Sequence, residues 1–312
     1  MEYKRLEVYV GWTCNHKCTY CKEFPNMEKI WDKKVTKYEI LKLLIKYKKG
    51  GFNHVSFLGG EPFIQPVFLD ALKLGKKLGY TILVTTNSTT LHIDTQAKKY
   101  LPYIDNLILS MEAIDEKTQK IISRSNSFVH WHDVIANINK YWKGTMLKVN
   151  IVIVKDNLHL LFDLVQFCFN NSLLDIAISY PDLDLDYYGK EHTLNLIAPS
   201  YKECIDKILP IIKYCEDKKI RLKLPDFPFC VFPKEHLSSY IKLTDDFDYQ
   251  TRVNMYRNDI EINRLDLSDD NMIPRERSHL PKCKECIYTN MCWGPSIYYD
   301  RLYSFKEINP II

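Results

Sequence analysis

The stretch Glu7-Val-Tyr-Val-Gly-Trp-Thr-Cys14-Asn-His-Lys-Cys18-Thr-Tyr-Cys21 runs from a short apolar strand straight into a polar loop that carries three thiols within eight residues. Three thiolates so close together can each ligate one iron of a single cubane cluster. Only three are present, so the fourth iron would keep an open coordination position. Structural zinc sites close with four ligands. His16 lies inside the first gap, where reaching the same metal as Cys14 and Cys18 would be strained. Three core thiols, the bland alternative, would not gather in a polar loop.

Outward from that loop, strand-sized apolar runs alternate with amphipathic stretches. Strands are predicted over 7–11, 54–58, 80–85, 106–110, 147–154, 174–179 and 220–224. Helices are predicted over 37–49, 67–78, 95–100, 128–141, 158–170 and 199–218, the first opened by Thr36 and Glu39 as a capping box. Five or six successive βα units imply an α/β fold with a parallel sheet or barrel. A full eightfold barrel usually needs ~250 residues for its repeats. The alternation stops here near Pro225, and Pro225, Pro228 and Pro233 break the chain into turns. A boundary is therefore expected there, giving domains 1–225 and 226–312.

The 312 residues carry a net charge of +4 from 43 basic and 39 acidic side chains, which predicts no strong nonspecific grip on nucleic acid or membrane. No apolar run approaches the ~18 residues of a membrane span, and the N-terminus lacks the pattern of a signal peptide. A cytoplasmic location is expected, where ten cysteines point to metal ligation or chemistry rather than disulfides.

The ends of the predicted strands carry a concerted polar set. Gly59-Gly60-Glu61-Pro62 ends the second, Thr85-Thr86-Asn87 the third and Ser110-Met111-Glu112 the fourth, with Arg124 following in Ser-Arg-Ser-Asn-Ser-Phe. Paired glycines allow a close backbone approach, and a carboxylate accepts hydrogen bonds from an ammonium. Barrel active sites are built at these strand ends.

Together with C-x3-C-x-aromatic-C, these segments resemble the radical S-adenosylmethionine (SAM) superfamily. The resemblance implies a partial (β/α)6 TIM-like barrel, a [4Fe-4S] cluster on Cys14, Cys18 and Cys21 with one open iron, and SAM as cofactor. It places Tyr20 near the adenine, Gly59, Gly60, Glu61 and Pro62 at the SAM amino group, and Asn87 in the family's T-N segment. Ser110 and Glu112 correspond to the ribose contact, and Arg124 to the carboxylate contact, although Ser125 stands where the family usually has Gly. The implied chemistry is reductive cleavage of SAM to a 5′-deoxyadenosyl radical that abstracts hydrogen from the substrate. A flavodoxin- or ferredoxin-type reductant is the implied partner.

A second cysteine set, Cys283-x2-Cys286-x5-Cys292 with Gly294 beyond it, has an upstream companion in Cys230. Four thiolates suit either a closed zinc site or a fully ligated [4Fe-4S] cluster. The sequence is similar here to the SPASM and shorter twitch extensions of the same superfamily. Four cysteines fit the one-cluster, twitch-like form, and that auxiliary cluster would take the electron left on the substrate. Cys168, Cys204 and Cys215 fall in helical stretches and read as core thiols.

The substrate loop is expected after the sixth strand, with Tyr180, Asp182, Asp184 and Asp186, and Asn150 on the fifth strand is expected to point inward. Tyr180, Asp182 and Asn150 are the weak catalytic candidates, against the bland reading of a solvated acidic loop. The auxiliary cluster favours oxidation or cross-linking of a peptide or protein side chain. The first strand begins by residue 7, so no leader-peptide recognition domain of the kind many peptide maturases carry is expected before it. A small sugar-like metabolite is the second reading, and a non-catalytic iron–sulfur electron carrier the third.

Overall fold

The computed structural model describes residues 4–21, 34–183, 196–234, 237, 252–257, 260–262 and 277–312. Seven parallel strands form its frame: β1 (Arg5–Tyr9), β2 (His54–Leu58), β3 (Thr81–Thr86), β4 (Asn106–Ser110), β5 (Met146–Val152), β6 (Asp175–Ser179) and β7 (Arg221–Lys223), paired in sequence order. Two further strands, β8 (Arg252–Arg257) and β9 (Ile260–Ile262), form a hairpin, and β8 lies parallel against β1. The sheet is an unclosed α/β partial barrel, as expected. It has one more strand than a six-unit barrel at one edge and the hairpin at the other. The hairpin was illegible in the sequence because the stretch around it has no clear period.

Helices α1 (Lys37–Lys49), α2 (Phe68–Lys77), α3 (Asp94–Tyr100), α4 (Glu116–Ser123), α5 (Trp131–Tyr141), α6 (Leu161–Asn170) and α7 (Tyr201–Lys218) cover one face of the sheet; a short α8 (Tyr299–Tyr303) lies near the C-terminus. The capping box of α1 is present: Glu39 N–H donates to Thr36 Oγ1 at 3.2 Å, and Thr36 N–H to Glu39 Oε2 at 2.7 Å. Ser200 and Glu203 open α7 in the same way. Helix α4 was not expected; Asp115 caps it by accepting from Thr118 N–H at 2.8 Å.

Alternation along each strand sorts the two faces. Leu6, Val8, Val55, Phe57, Ile82, Val84, Leu107, Leu109, Val149, Ile151, Ile176 and Ile178 join the helices in one buried core. Their strand neighbours Ser110, Asn150 and Ser179 are half-buried on the opposite, inner face.

The C-terminal segment closes back on α7. Tyr299 is fully buried and stacks on Tyr201 with centroids 4.1 Å apart. Its hydroxyl accepts from Tyr201 N–H at 2.8 Å and donates to Glu307 at 2.6 Å. Tyr303 donates to the Ala198 carbonyl at 2.6 Å, and Arg277 to the Asp226 carbonyl at 2.7 Å.

Candidate active site

The cysteine loop is held from two sides. Toward β2, Gly60 N–H donates to the Gly11 carbonyl and Glu61 N–H to the Thr13 carbonyl, both at 3.0 Å. Gly59 has φ 141°, a value that side chains rarely tolerate, and a Cβ on either glycine would collide with backbone between Gly11 and Thr13. The backbone that these two glycines approach is that of the cysteine loop. Toward α4, Lys17 N–H donates to the Ser123 carbonyl at 2.7 Å and Thr19 N–H to the Ile122 carbonyl at 2.9 Å. Ser125 Oγ donates to the Asn15 carbonyl at 2.8 Å.

Glu61 is buried, and its carboxylate accepts from Thr86 Oγ1 at 2.7 Å, Asn87 N–H at 2.8 Å and Phe63 N–H at 3.1 Å. It thus braces the ends of β2 and β3 against each other. Burial nonetheless pushes its pKa up to about 7, with the three donors acting in the opposite direction. Asn87 extends the brace: its Nδ2 reaches Asn15 Oδ1 at 2.9 Å and Cys14 Sγ at 3.9 Å. Pro62 opens a short 3-10 turn behind Glu61.

One cavity brings together Cys18, Asn87, Ser110 and Glu112 with Ser123 and Trp131. Glu112 is half-buried; burial pushes its pKa up to about 7, and the Tyr20 hydroxyl hydrogen-bonds its carboxylate. Glu112 Oε1 and Ser123 Oγ are buried there without a hydrogen-bond partner. Buried polar atoms are rarely left so, and two on one wall fit a ligand with its own hydroxyls, as the SAM ribose has. Asn157 fixes the strand end beneath, donating to the Glu112 carbonyl at 3.1 Å and the Val152 carbonyl at 2.9 Å.

The thiols themselves suit a cationic cluster. Burial, then the nearby Glu61 charge, pushes Cys14 up to about 12. Cys18 is raised further by burial and by Glu112. Iron would supply the positive charge that these desolvated sulfurs lack. His16 N–H already donates to Cys14 Sγ at 3.4 Å, while the His16 ring is buried and turned to the Ser127 carbonyl at 3.3 Å, away from a ligand role.

The remaining expectations divide. Arg124 is exposed at the left-handed C-cap of α4, φ 47°, outside the cavity. Tyr180 is turned into the core, its hydroxyl donating to the Pro199 carbonyl at 2.7 Å. That environment gives it a packing role rather than a catalytic one. Asn150 does lie on the inner face, as the register partner of Ser110, and its Oδ1 accepts from Ser179 Oγ at 3.1 Å. Asp182 is half-buried and does not line the cavity, whereas Asp184 and Asp186 lie outside the described residues.

Residues the sequence did not single out include Ser123, Lys148 and Trp12. Trp12 stacks on Tyr9 at 4.9 Å in a small cluster with Cys14 and Cys21, and its indole N–H is buried without a partner. Its only sequence signal was its position two residues before Cys14.

In the C-terminal segment Cys230, Cys283, Cys286 and Cys292 line one cavity. Burial raises Cys230 to about 12, with the other three thiols adding to the effect. Gly294 N–H donates to Cys292 Sγ at 3.4 Å, and Thr289 Oγ1 bonds the carbonyls of Cys283 and Cys286. His279, also unforeseen, borders this cavity and holds the Cys292 carbonyl at 2.6 Å.

The family model of the Radical SAM superfamily matches residues 8–168, from β1 through α6. The chain belongs to the radical SAM superfamily. The family's [4Fe-4S] cluster and SAM are therefore the cofactors of this chain.

Among curated proteins, the chain is similar to the S-adenosylmethionine-dependent nucleotide dehydratase of Flammeovirga pacifica, 31% identical over 159 residues. That match covers 47% of this chain and 52% of the relative. It is also similar to the probable GTP 3′,8-cyclase of Pyrococcus horikoshii, 27% identical over 164 residues, covering 52% and 51% respectively. The chain thus spans about half the length of these relatives.

Among solved structures, Streptococcus suis SuiB bound to precursor peptide SuiA matches 95% of this chain and 72% of its own, with a TM-score of 0.65 at 16% identity. The anSMEcpe structure with bound AdoMet matches 98% and 92%, with a TM-score of 0.61 at 16% identity. Those likenesses are of fold. Among the described residues no helix is long and apolar enough to cross a membrane.

Proposed function

We propose that this chain is an enzyme that cleaves SAM reductively at the Cys14, Cys18 and Cys21 loop and removes hydrogen from a substrate carbon at the inner face of the sheet. The observation that carries this reading is the cavity shared by Cys18, Asn87, Ser110 and Glu112, with two buried polar atoms that lack partners. When bound, the cluster and SAM supply a carbon-centred radical able to attack an unactivated C–H bond. The residues of this chain do the rest. Glu112 and Ser110 hold the ribose hydroxyls, Glu61 and Asn87 keep the cysteine loop in register, and Trp131 and Val129 keep water out.

The four C-terminal thiols would hold a second, fully ligated [4Fe-4S] cluster that takes up an electron from the substrate. A flavodoxin- or ferredoxin-type protein is the expected reductant. For the substrate, two classes have support. The fold shared with SuiB supports a peptide; SuiB is seen with a precursor peptide. The curated relatives, whose printed activities are a nucleotide dehydratase and a GTP cyclase, support a nucleotide. The second likeness extends to sequence over about half of the chain, and a nucleotide-sized small molecule is the reading adopted.

The test is anaerobic reconstitution of the wild type and of a Cys14/Cys18/Cys21→Ala variant, followed by addition of SAM and dithionite. 5′-Deoxyadenosine from the wild type alone supports the assignment. Its absence from fully iron-loaded wild type, with each candidate nucleotide present, defeats it.

A further inference from the structure

Trp12 joins the end of β1 to the cysteine loop, two residues before Cys14. It is 2% exposed, and its ring stacks on Tyr9 with centroids 4.9 Å apart and an interplanar angle of 24°. Tyr9 and Leu58 are register partners at the ends of β1 and β2. Each stands one step past a core residue, Val8 or Phe57, and so lies on the inner face of the sheet. The two rings form a small cluster of their own, with Leu58, Cys14 and Cys21 packed against it. The indole is thus wedged against two of the three thiols. Its Nε1–H is cut off from water and has no hydrogen-bond partner among the described residues. A buried donor left unpaired is costly, and native proteins rarely keep one without a use.

The groups beside that donor are sulfurs. A free thiol is a weak acceptor, whereas a thiolate on iron carries negative charge and is a stronger one. Other donors already point at Cys14 Sγ, the His16 N–H at 3.4 Å and Asn87 Nδ2 at 3.9 Å. Carboxylates act in the opposite direction, Glu61 on Cys14 and Glu112 on Cys18. Sheltered negative charge beside a cluster opposes the arrival of an electron, and a donor to sulfur favours it.

Building on the reading that Cys14, Cys18 and Cys21 hold the [4Fe-4S] cluster, we propose that the Trp12 indole N–H donates a hydrogen bond to a sulfur of that cluster and thereby raises its reduction potential. Trp12 is a tuning residue rather than a catalytic one. The step it eases is the transfer of one electron: the reductant is oxidised by one electron, the cluster gains one unit of negative charge, no bond breaks and no proton moves. The N–H dipole stabilises that added charge where an apolar wall would not, and the low local dielectric strengthens the effect. The stack on Tyr9 fixes the plane of the indole, so the donor is oriented before the electron arrives.

The experiment measures the reduction potential of the N-terminal cluster in the anaerobically reconstituted full-length protein, read by electron paramagnetic resonance of the reduced state. Addition of SAM marks the signal to follow, because a cluster with an open iron responds to it and a fully ligated one does not. Two replacements remove the donor: Trp12→Phe, and an isostere of tryptophan at position 12 in which sulfur takes the place of the indole N–H. The isostere keeps the size of the ring and its stack on Tyr9, and so decides the matter should Trp12→Phe fail to fold. Each should leave iron content unchanged and make the cluster harder to reduce, by about tenfold in the reduction equilibrium, or about 59 mV for one electron. Trp142→Phe removes another buried indole N–H that lacks a partner, and should not move the potential. An unshifted potential in the isostere, a shift to easier reduction, or an equal shift in Trp142→Phe overturns the proposal. The cluster assignment is read separately, from a SAM-sensitive signal that wild type shows and the Cys14/Cys18/Cys21→Ala variant lacks. If that signal is present and the isostere leaves its potential alone, the assignment stands and the role of Trp12 falls. If wild type shows no SAM-sensitive signal, both fall.

Discussion

The rings of Tyr201 and Tyr299 stack at 4.1 Å with an interplanar angle of 17°, and the Tyr299 hydroxyl accepts the Tyr201 backbone N–H. This contact ties the first turn of α7 to the segment that carries Cys283, Cys286 and Cys292. Replacing Tyr299 by Ala should cost about 3–5 kcal/mol, as for other large buried aromatics. Tyr299→Phe keeps the stack and loses two hydrogen bonds, for about 1–3 kcal/mol. Urea unfolding of the apo protein measures both. Equal losses would mean that the ring contributes nothing beyond its hydroxyl.

Gly60→Ala places a methyl group against the Trp12 and Thr13 backbone carbonyls. The cysteine loop must then shift. The expected result is a folded protein that loses the iron of the N-terminal cluster, about four per chain, and with it 5′-deoxyadenosine formation. Normal iron content in this variant would show that the glycine pair does not set the loop.

Cys230→Ala tests the other cavity. Wild type should bind about eight irons per chain after reconstitution, and the variant about four, while still cleaving SAM. Retention of all the iron would remove Cys230 from the ligand set. Stoichiometric zinc in wild type, with about four irons, would make the C-terminal site structural and undercut its role in electron uptake.

The pH dependence of the apo protein follows from Glu61 and Glu112, both raised from 4.5 to about 7 by burial. A carboxyl whose folded pKa exceeds its unfolded one binds more protons when folded, so stability falls as pH rises between the two values. The decline should therefore run from about pH 4.5 to about pH 7. Asp94, Asp115 and Glu203 are shifted downward; they act in the opposite sense, in the acid range below their ordinary values. Glu61→Gln should flatten part of the first decline in urea titrations at successive pH values. An unchanged profile would show that burial does not shift Glu61 on folding.

Tyr180→Phe removes the bond to the Pro199 carbonyl and should cost about 1 kcal/mol with SAM cleavage intact. A selective loss of turnover without loss of stability would return Tyr180 to the active site.

The strands and the thiol spacing were legible because they are local. Val8, Phe57, Leu109 and Ile151 sit in alternating or buried runs whose period declares a strand, and Cys14, Cys18 and Cys21 converge through a loop of only eight residues. Thr36 and Glu39 announced their capping box for the same reason. The α4 helix was missed because its sequence, Glu-Lys-Thr-Gln-Lys-Ile-Ile-Ser, is short and mostly polar. Tyr180 was misjudged because a position just past a strand end does not say which way a side chain turns. Arg124 was placed in the site by motif, yet it is exposed at a helix cap.

By itself, then, the sequence determined the parallel α/β frame, the two cysteine sets and the strand ends from which a site could be built, since each follows from short-range period and spacing. Tertiary structure alone decided that Glu61 spends its oxygens on Thr86, Asn87 and Phe63, that Glu112 and Ser123 face one cavity, and that Lys148 and Lys223 share the inner face. Those relations join residues tens of positions apart. They exist only once strand register and burial fix which side chains meet and which are cut off from water.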